Sequence, residues 1–274
     1  MAESLPNRGI ISTYNLVVDD INATVVSATS EKNLWRKENL RDQRRSKRWR
    51  STSAVEQKIV VRLSAAALPE VFALVDSNLA ASQTVTLKGA DDAAMTTNVA
   101  SWSLTTYTQS MRHTLRWYLG AADSGTASAR LYWEVTFPAS GAGSVSYHEL
   151  GVLWLGAHVD LVISSLDRSV IDPSEIAVSD GGARYPDRRD TYHETSIDSD
   201  AMPEADSWAL LDALDSAGGT RHVIVDLWAS SSDSTRKANG TYYATLGGGE
   251  GVGQFSRSTP VHDDLSLLIV EARA

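Results

Sequence analysis

Six histidines (His113, His148, His158, His193, His222 and His262) and an acidic run from Asp180 to Asp206 are the side chains in this sequence with the most chemical reach. No two of the histidines form an HExxH pair, and His148 and His158 are too far apart to share a helical turn, so zinc ligation of that kind is not indicated. The acidic run offers oxygen ligands, but calcium needs roughly six to eight of them converging, and EF-hand spacing is absent. It reads as a solvated acidic face. The stretch GGGEGVG at 247–253 has no Gly-Lys-Ser/Thr and no helix pattern after it, which makes it a turn and not a phosphate cradle. There is no GxSxG elbow to activate a serine, and the absence of cysteine removes thiol nucleophiles, disulfides and zinc-thiolate sites. The expectation is a protein that is not an enzyme, with no cofactor and no metal.

Binding residues stand out more clearly than catalytic ones. Between Glu31 and Arg50 lie nine basic residues (Lys32, Arg36, Lys37, Arg41, Arg44, Arg45, Lys47, Arg48 and Arg50) against three acidic ones, a local charge of +6 in a chain whose total is −9. Trp35 and Trp49 are interleaved with them. A basic, aromatic segment can grip phosphates, but the acidic remainder of the chain argues against nucleic acid or an anionic membrane as a partner. Charge complementarity with a neighbouring subunit fits better, and with it a homo-oligomer. Eight Trp and nine Tyr against three Phe is an aromatic balance suited to interfaces and to sugar-binding faces. Most are expected in the core, with Trp102, Tyr107, Trp117 and Tyr118 as the platforms that could stack on a sugar ring.

The elements that would position these residues are mainly strands. Lys58–Leu63, Val71–Val75 and Thr84–Leu87 are short runs of β-branched and apolar residues, the first two parted by Pro69. Residues 14–29 carry a weaker strand pattern. Arg130–Phe137 is a further strand, and 145–162 closes the first half. In the second half DPSE, SDGG and YPD mark turns between short strands. Pro203–Ala217 reads as one helix, with proline at its start, Glu204 and Asp206 in the first turn, and Gly218 and Gly219 beyond its end. Trp208, Leu210, Leu211 and Leu214 form its apolar stripe, expected to pack on a sheet. His222–Trp228 and Leu265–Glu271 are buried-type strands.

Three short motifs carry a resemblance: Trp49-Arg50-Ser51 before the first core strand, Ser77-Asn78-Leu79 after the second, and Glu149-Leu150-Gly151 with Leu153, Leu155 and Gly156 at the close. Over about residues 15 to 162 the chain resembles the discoidin-like, galactose-binding-type β-sandwich found in tailed-bacteriophage virion proteins. It departs from that pattern where Arg62, Leu63 and Ser64 replace an Asp-Leu-Gly, and in the basic insertion before Trp49. The resemblance implies a mainly β chain: a discoidin-like, jelly-roll type sandwich over 1–162 with the basic segment at 31–50, then a small α+β domain with one helix over 163–274.

It also implies a non-enzymatic virion structural protein of the tail, baseplate, neck or spike, made in the host cytoplasm and assembling with other virion proteins. The alternative is a host-receptor or glycan-binding module. No apolar leader and no run of about 18 apolar residues is present, so neither a signal peptide nor a membrane span is expected.

Overall fold

The computed structural model describes residues 8–107, 114–119, 128–140, 145–178, 184–187, 191–217, 221–229, 231, 233–246, 254–259 and 262–272. Two antiparallel sheets make the sandwich. One has five strands, in spatial order Thr24–Ala28, Gln57–Ala67, Arg130–Phe137, Thr84–Ala90 and Ala100–Thr105. The other has three: Val152–Gly156, Val71–Val75 and Thr114–Tyr118. Alternate residues of both, among them Ile59, Val61, Phe72, Leu74, Val85, Leu87, Trp133, Leu153 and Leu155, meet in one core. The alternation of 84–87 follows from this, with Val85 and Leu87 turned into the core and Thr84 and Thr86 away from it.

The three-stranded sheet is buried on both faces. Its other set (Val71, Ala73, Val75, Val152 and Trp154) packs on Ile10, Ile224, Tyr243 and Ala272 of a third layer. That is why VFALV and VLWLG are unbroken apolar runs with every residue buried.

The third layer is an eight-stranded sheet. Seven strands run in the order Val159–Leu161, Gly9–Ser12, His222–Asp226, Thr241–Leu246, His262–Glu271, Tyr192–Pro203 and Ser165–Ile171, and Gln254–Thr259 adds to His262–Glu271. Its far face packs on the helix Glu204–Ala217 through Leu210 and Leu214. The stack is therefore sheet, sheet, sheet, helix.

The expected fold class holds: mainly β, a sandwich with a smaller α-and-β unit beside it. Several details differ. Gly9–Ser12 and Val159–Leu161, both within the span expected for the sandwich, are paired in the eight-stranded sheet. The acidic stretch expected as turns and short strands contains the 12-residue strand Tyr192–Pro203. A second helix, Ser234–Gly240, occupies what reads as a polar linker. Trp208 does not join the helix's apolar stripe. The helix docks through Ser207, Leu210 and Leu214, and a turn of about 100° per residue carries Trp208 outward, where it is 55% exposed. The turns expected at 179–182 and 247–253 lie outside the described residues.

The crossing from one layer to the next is fixed at Asn15. Its amide donates to the Leu153 carbonyl (2.9 Å) and accepts from the Leu155 N–H (3.2 Å), continuing the edge of the three-stranded sheet with a side chain. Gly156 lets the chain pass over it there, since a Cβ would lie 2.5 Å from the Tyr14 carbonyl oxygen and 2.7 Å from the Ser12 hydroxyl.

Candidate functional site

The basic segment divides: Arg45 is buried, Lys37, Arg41, Arg48 and Arg50 are half-buried, and Lys32, Arg36, Arg44 and Lys47 are exposed. Arg45 is buried and holds Asp76 with two hydrogen bonds (2.9 and 2.6 Å), while its third nitrogen donates to the Ala272 carbonyl (2.6 Å). Asp76 takes a φ of 54°, ending its strand so that the carboxylate faces Arg45. Arg48 pairs with Glu149 and lies 3.5 Å from Asp76. Arg50 also pairs with Glu149, and its guanidinium is stacked between Trp35 (4.4 Å) and Tyr147 (4.2 Å). Trp49 is fully buried against Phe137. Arg41 donates to the Asp20 and Ile21 carbonyls, both at 3.2 Å. Of the positions expected to meet partners, Arg36, Arg44 and Lys47 remain exposed, and Arg44 is paired with Asp42.

The three sequence motifs meet in this knot. Strand Trp49–Arg50 pairs with Glu149–Leu150. The Ser51 hydroxyl accepts the His148 N–H (2.8 Å), and the Asn78 amide accepts the Glu149 N–H (2.8 Å). Their chemistry is structural: every polar group named is spent on another part of the chain.

The aromatic platforms also sort differently from expectation. Trp102 is buried and stacked on Trp133 with ring centres 5.7 Å apart. Trp117 is half-buried, stacked on Phe72 and donating to the Thr105 carbonyl (3.0 Å). Tyr107 is half-buried, and its hydroxyl accepts the Arg116 N–H (2.9 Å). Burial pushes the Tyr107 phenol up to about 12. Tyr118 lines a cavity.

That cavity is a cleft of about 160 Å³ at the seam between the three- and eight-stranded sheets, lined by Arg8, Ile10, Tyr118, His158, Asp160 and Ala229. Strand register builds it. Ile10 pairs with Asp160 on one side and with Asp226 on the other, so all three share the inward face, with the two carboxylates roughly 10 Å apart. Tyr118 ends a strand that pairs with Val71, while Arg116, two residues back, points the same way from opposite Ala73. The layer between the sheets thus changes from apolar around Trp154 and Tyr243 to charged at this end.

Each carboxylate has its own cation. Asp226 pairs with Arg116, the two being 0% and 2% exposed, and Arg116 also donates to the Trp228 carbonyl (3.3 Å). The other pair, Asp160 with Arg8, sits at the mouth, at 36% and 59% exposed. His158 completes the wall, with one ring nitrogen 3.1 Å from Glu70 and the other 3.7 Å from Asp160, its ring edge-on to Tyr118 at 5.5 Å. The Arg116 guanidinium covers one face of Tyr118 at 4.6 Å. The Tyr118 hydroxyl is buried and has no hydrogen-bond partner among the described residues, and burial raises its pKa above the ordinary phenol value.

Comparisons with solved structures fit here. A chitosan-binding module derived from a Paenibacillus sp. IK-5 chitosanase/glucanase is 20% identical, covers 52% of this chain and 98% of its own, and superposes with a TM-score of 0.38. The lectin domain of lectinolysin complexed with Lewis B antigen gives 13%, 53%, 98% and 0.40. Reduced XRCC1 bound to the DNA polymerase beta catalytic domain gives 15%, 48%, 94% and 0.39. At such TM-scores nothing below rests on these likenesses. No protein-family model matches the chain, and no curated protein matches its sequence.

Of the cleft, sequence reasoning singled out Tyr118, and it weighed His158 only as a metal ligand. Arg8 and Asp160 were missed. Asp160 carried a signal, since it is a lone charge in the middle of an apolar strand. Among the described residues no three His, Asp or Glu converge as a metal site, and no helix is long and apolar enough to cross a membrane.

Two histidines outside the cleft, His148 buried and His222 half-buried, set a pH dependence. His148 lies against Phe137, and His222 is stacked on Tyr243 at 4.7 Å. Burial holds both below the ordinary 6.5, with Arg45 adding to the effect at His222. The unfolded chain therefore binds protons below about pH 6.5 that the folded chain refuses, and stability falls as pH drops through that value. Urea midpoints at pH 7.5 and 5.5 check this: the lower pH is expected to give the lower midpoint, and equal midpoints would contradict it.

Proposed function

We propose that the chain is a non-catalytic binding module that takes one saccharide ring in the seam cleft. The carrying observation is a cleft whose wall presents Arg8, Asp160, His158 and the ring of Tyr118, opposite the apolar Ile10 and Ala229. A pyranose has that same division, with hydroxyls along its edge and C–H groups on its face. The volume is below the roughly 300–1,000 Å³ of sites for drug-sized ligands, so one ring fits and a chain does not. Since Arg116 already covers a face of Tyr118, recognition runs through the accessible polar groups of Arg8 and Asp160 more than through stacking.

The assembly surface expected for a virion protein is the basic segment 36–50 with exposed aromatics; Arg45, Arg48, Trp49 and Arg50 of it are engaged within the chain, and Arg36, Arg44 and Lys47 face outward. The glycan-binding alternative is therefore the reading favoured here, and residence in a particle is left as a context for it. Calorimetric titration with a panel of methyl hexosides tests it. Tyr118→Ala, which removes the ring from the wall, is expected to weaken binding about fivefold, and Asp160→Ala more than about tenfold, since its bonds are charge-assisted. Binding unaffected by both substitutions would remove the cleft from the account.

A further inference from the structure

The charges of the seam cleft have a pattern that bears on which saccharides it takes. Among the described residues each acidic or basic side chain lining it, and the Arg116–Asp226 pair behind it, has an opposite partner within the chain. Arg8 holds Asp160 in a two-point pair, with an Nε to Oδ1 distance of 3.0 Å. His158 is flanked by Glu70 and Asp160. Arg116 and Asp226 are closed on each other beneath Tyr118. Asp206, on the neighbouring helix, adds its field to Arg8. Among the described residues the Tyr118 hydroxyl, the Arg116 Nε and the His158 Nδ1 are buried here without a hydrogen-bond partner, and none of them belongs to an ion lacking a counter-charge.

From this we infer that the cleft selects neutral sugars and discriminates against both acidic and amino sugars. The inference rests on the saccharide reading above. A carboxylate on the ligand can reach Arg8 only by displacing Asp160, and an ammonium can reach Asp160 only by displacing Arg8. Both members of that pair are partly in water, so the exchange replaces one weak ion pair with another and gains little. Meanwhile the charged ligand loses hydration, and the displaced residue is left facing the cleft without its counter-ion. Arg116 and Asp226 are too deeply buried to take part. A neutral ring leaves all the pairs intact. It uses the lone pairs of Asp160 and the N–H groups of Arg8 that the pair itself does not occupy, on groups that hold each other in place before the ligand arrives.

The pairing can be tested without knowing the sugar. Acetate and methylammonium are titrated into the full chain while the Tyr118 ring and His158 imidazole signals are followed by NMR. The wild type is expected to show neither ion bound at the cleft. Asp160→Asn, which frees Arg8, is expected to bind acetate at least about tenfold more tightly than wild type, and Arg8→Gln to bind methylammonium at least about tenfold more tightly, the worth of a charge-assisted hydrogen bond. In parallel, a methyl hexoside is compared with the uronate and the hexosamine of the same configuration. Wild type is expected to prefer the neutral sugar severalfold, with the preference for the uronate rising in Asp160→Asn and for the hexosamine in Arg8→Gln.

Wild-type uptake of either ion, or a wild-type preference for a charged sugar, overturns the neutral selectivity while leaving the saccharide reading intact. If no sugar binds but the ions behave as expected, the saccharide reading fails and the charge pairing stands. Should Asp160→Asn unfold, Asp160→Ser frees the same guanidinium and takes its place.

Discussion

Replacing Asp226 with alanine is expected to lower the free energy of unfolding by about 3–5 kcal/mol, because it strands the Arg116 guanidinium in a dry seam. Arg116 is 2% exposed, and its remaining acceptor is the Trp228 carbonyl at 3.3 Å. The pair also ties the sandwich to the eight-stranded sheet, since Arg116 belongs to strand Thr114–Tyr118 and Asp226 to strand His222–Asp226. Urea unfolding with an unchanged slope measures the loss. A double replacement, Arg116→Met with Asp226→Leu, removes both charges at similar volume and is expected to return most of the stability. A loss below about 1 kcal/mol for Asp226→Ala would mean that water reaches the seam.

The second large effect separates the basic residues that face in from those that face out. Arg45→Glu places a carboxylate against Asp76, where the native side chains are 9% and 5% exposed, and also removes the bond to the Ala272 carbonyl. A loss of more than about 4 kcal/mol is expected, enough to unfold most of the population of a domain of ordinary stability. Arg44→Glu and Lys47→Glu lie on the exposed side of the same segment and are expected to change stability by less than about 0.5 kcal/mol each. Thermal melts of the three variants show the contrast. If Arg45→Glu melts with Arg44→Glu, the segment is not the internal clamp described above.

That contrast also shows where the sequence was hard to read. A cluster of like charges is ordinarily solvated, and the carboxylates that neutralise this one, Asp76 and Glu149, stand 31 and 101 residues away from their partners. Nothing local announces them. Strands with a local signature were plain: Val71–Val75 and Arg130–Phe137 lie where their β-branched and aromatic runs put them. The short GIIS strand at Gly9–Ser12 has too few residues to declare a period, and the strand opposite it lies more than 200 residues along the chain.

For the cleft, pattern could supply Tyr118 and His158 as residues of interest. Bringing them beside Arg8 and Asp160 depended on the register of Ile10 between two strands, which pairing across the fold decides. The unbroken runs VFALV and VLWLG did hold a readable clue. A strand with no polar residue on either side implies a layer on each face, and hence a third sheet behind the sandwich.

The claim on which the account turns is that a small hydroxylated ligand seats between Tyr118, His158, Asp160 and Ala229. Backbone and side-chain chemical-shift mapping of the full chain during titration with the best-bound methyl hexoside tests it most directly. Shifts centred on those four residues, saturating together, are the predicted result. Shifts centred instead on Arg36, Arg44 and Lys47, or on Trp117 with the cleft silent, would contradict it.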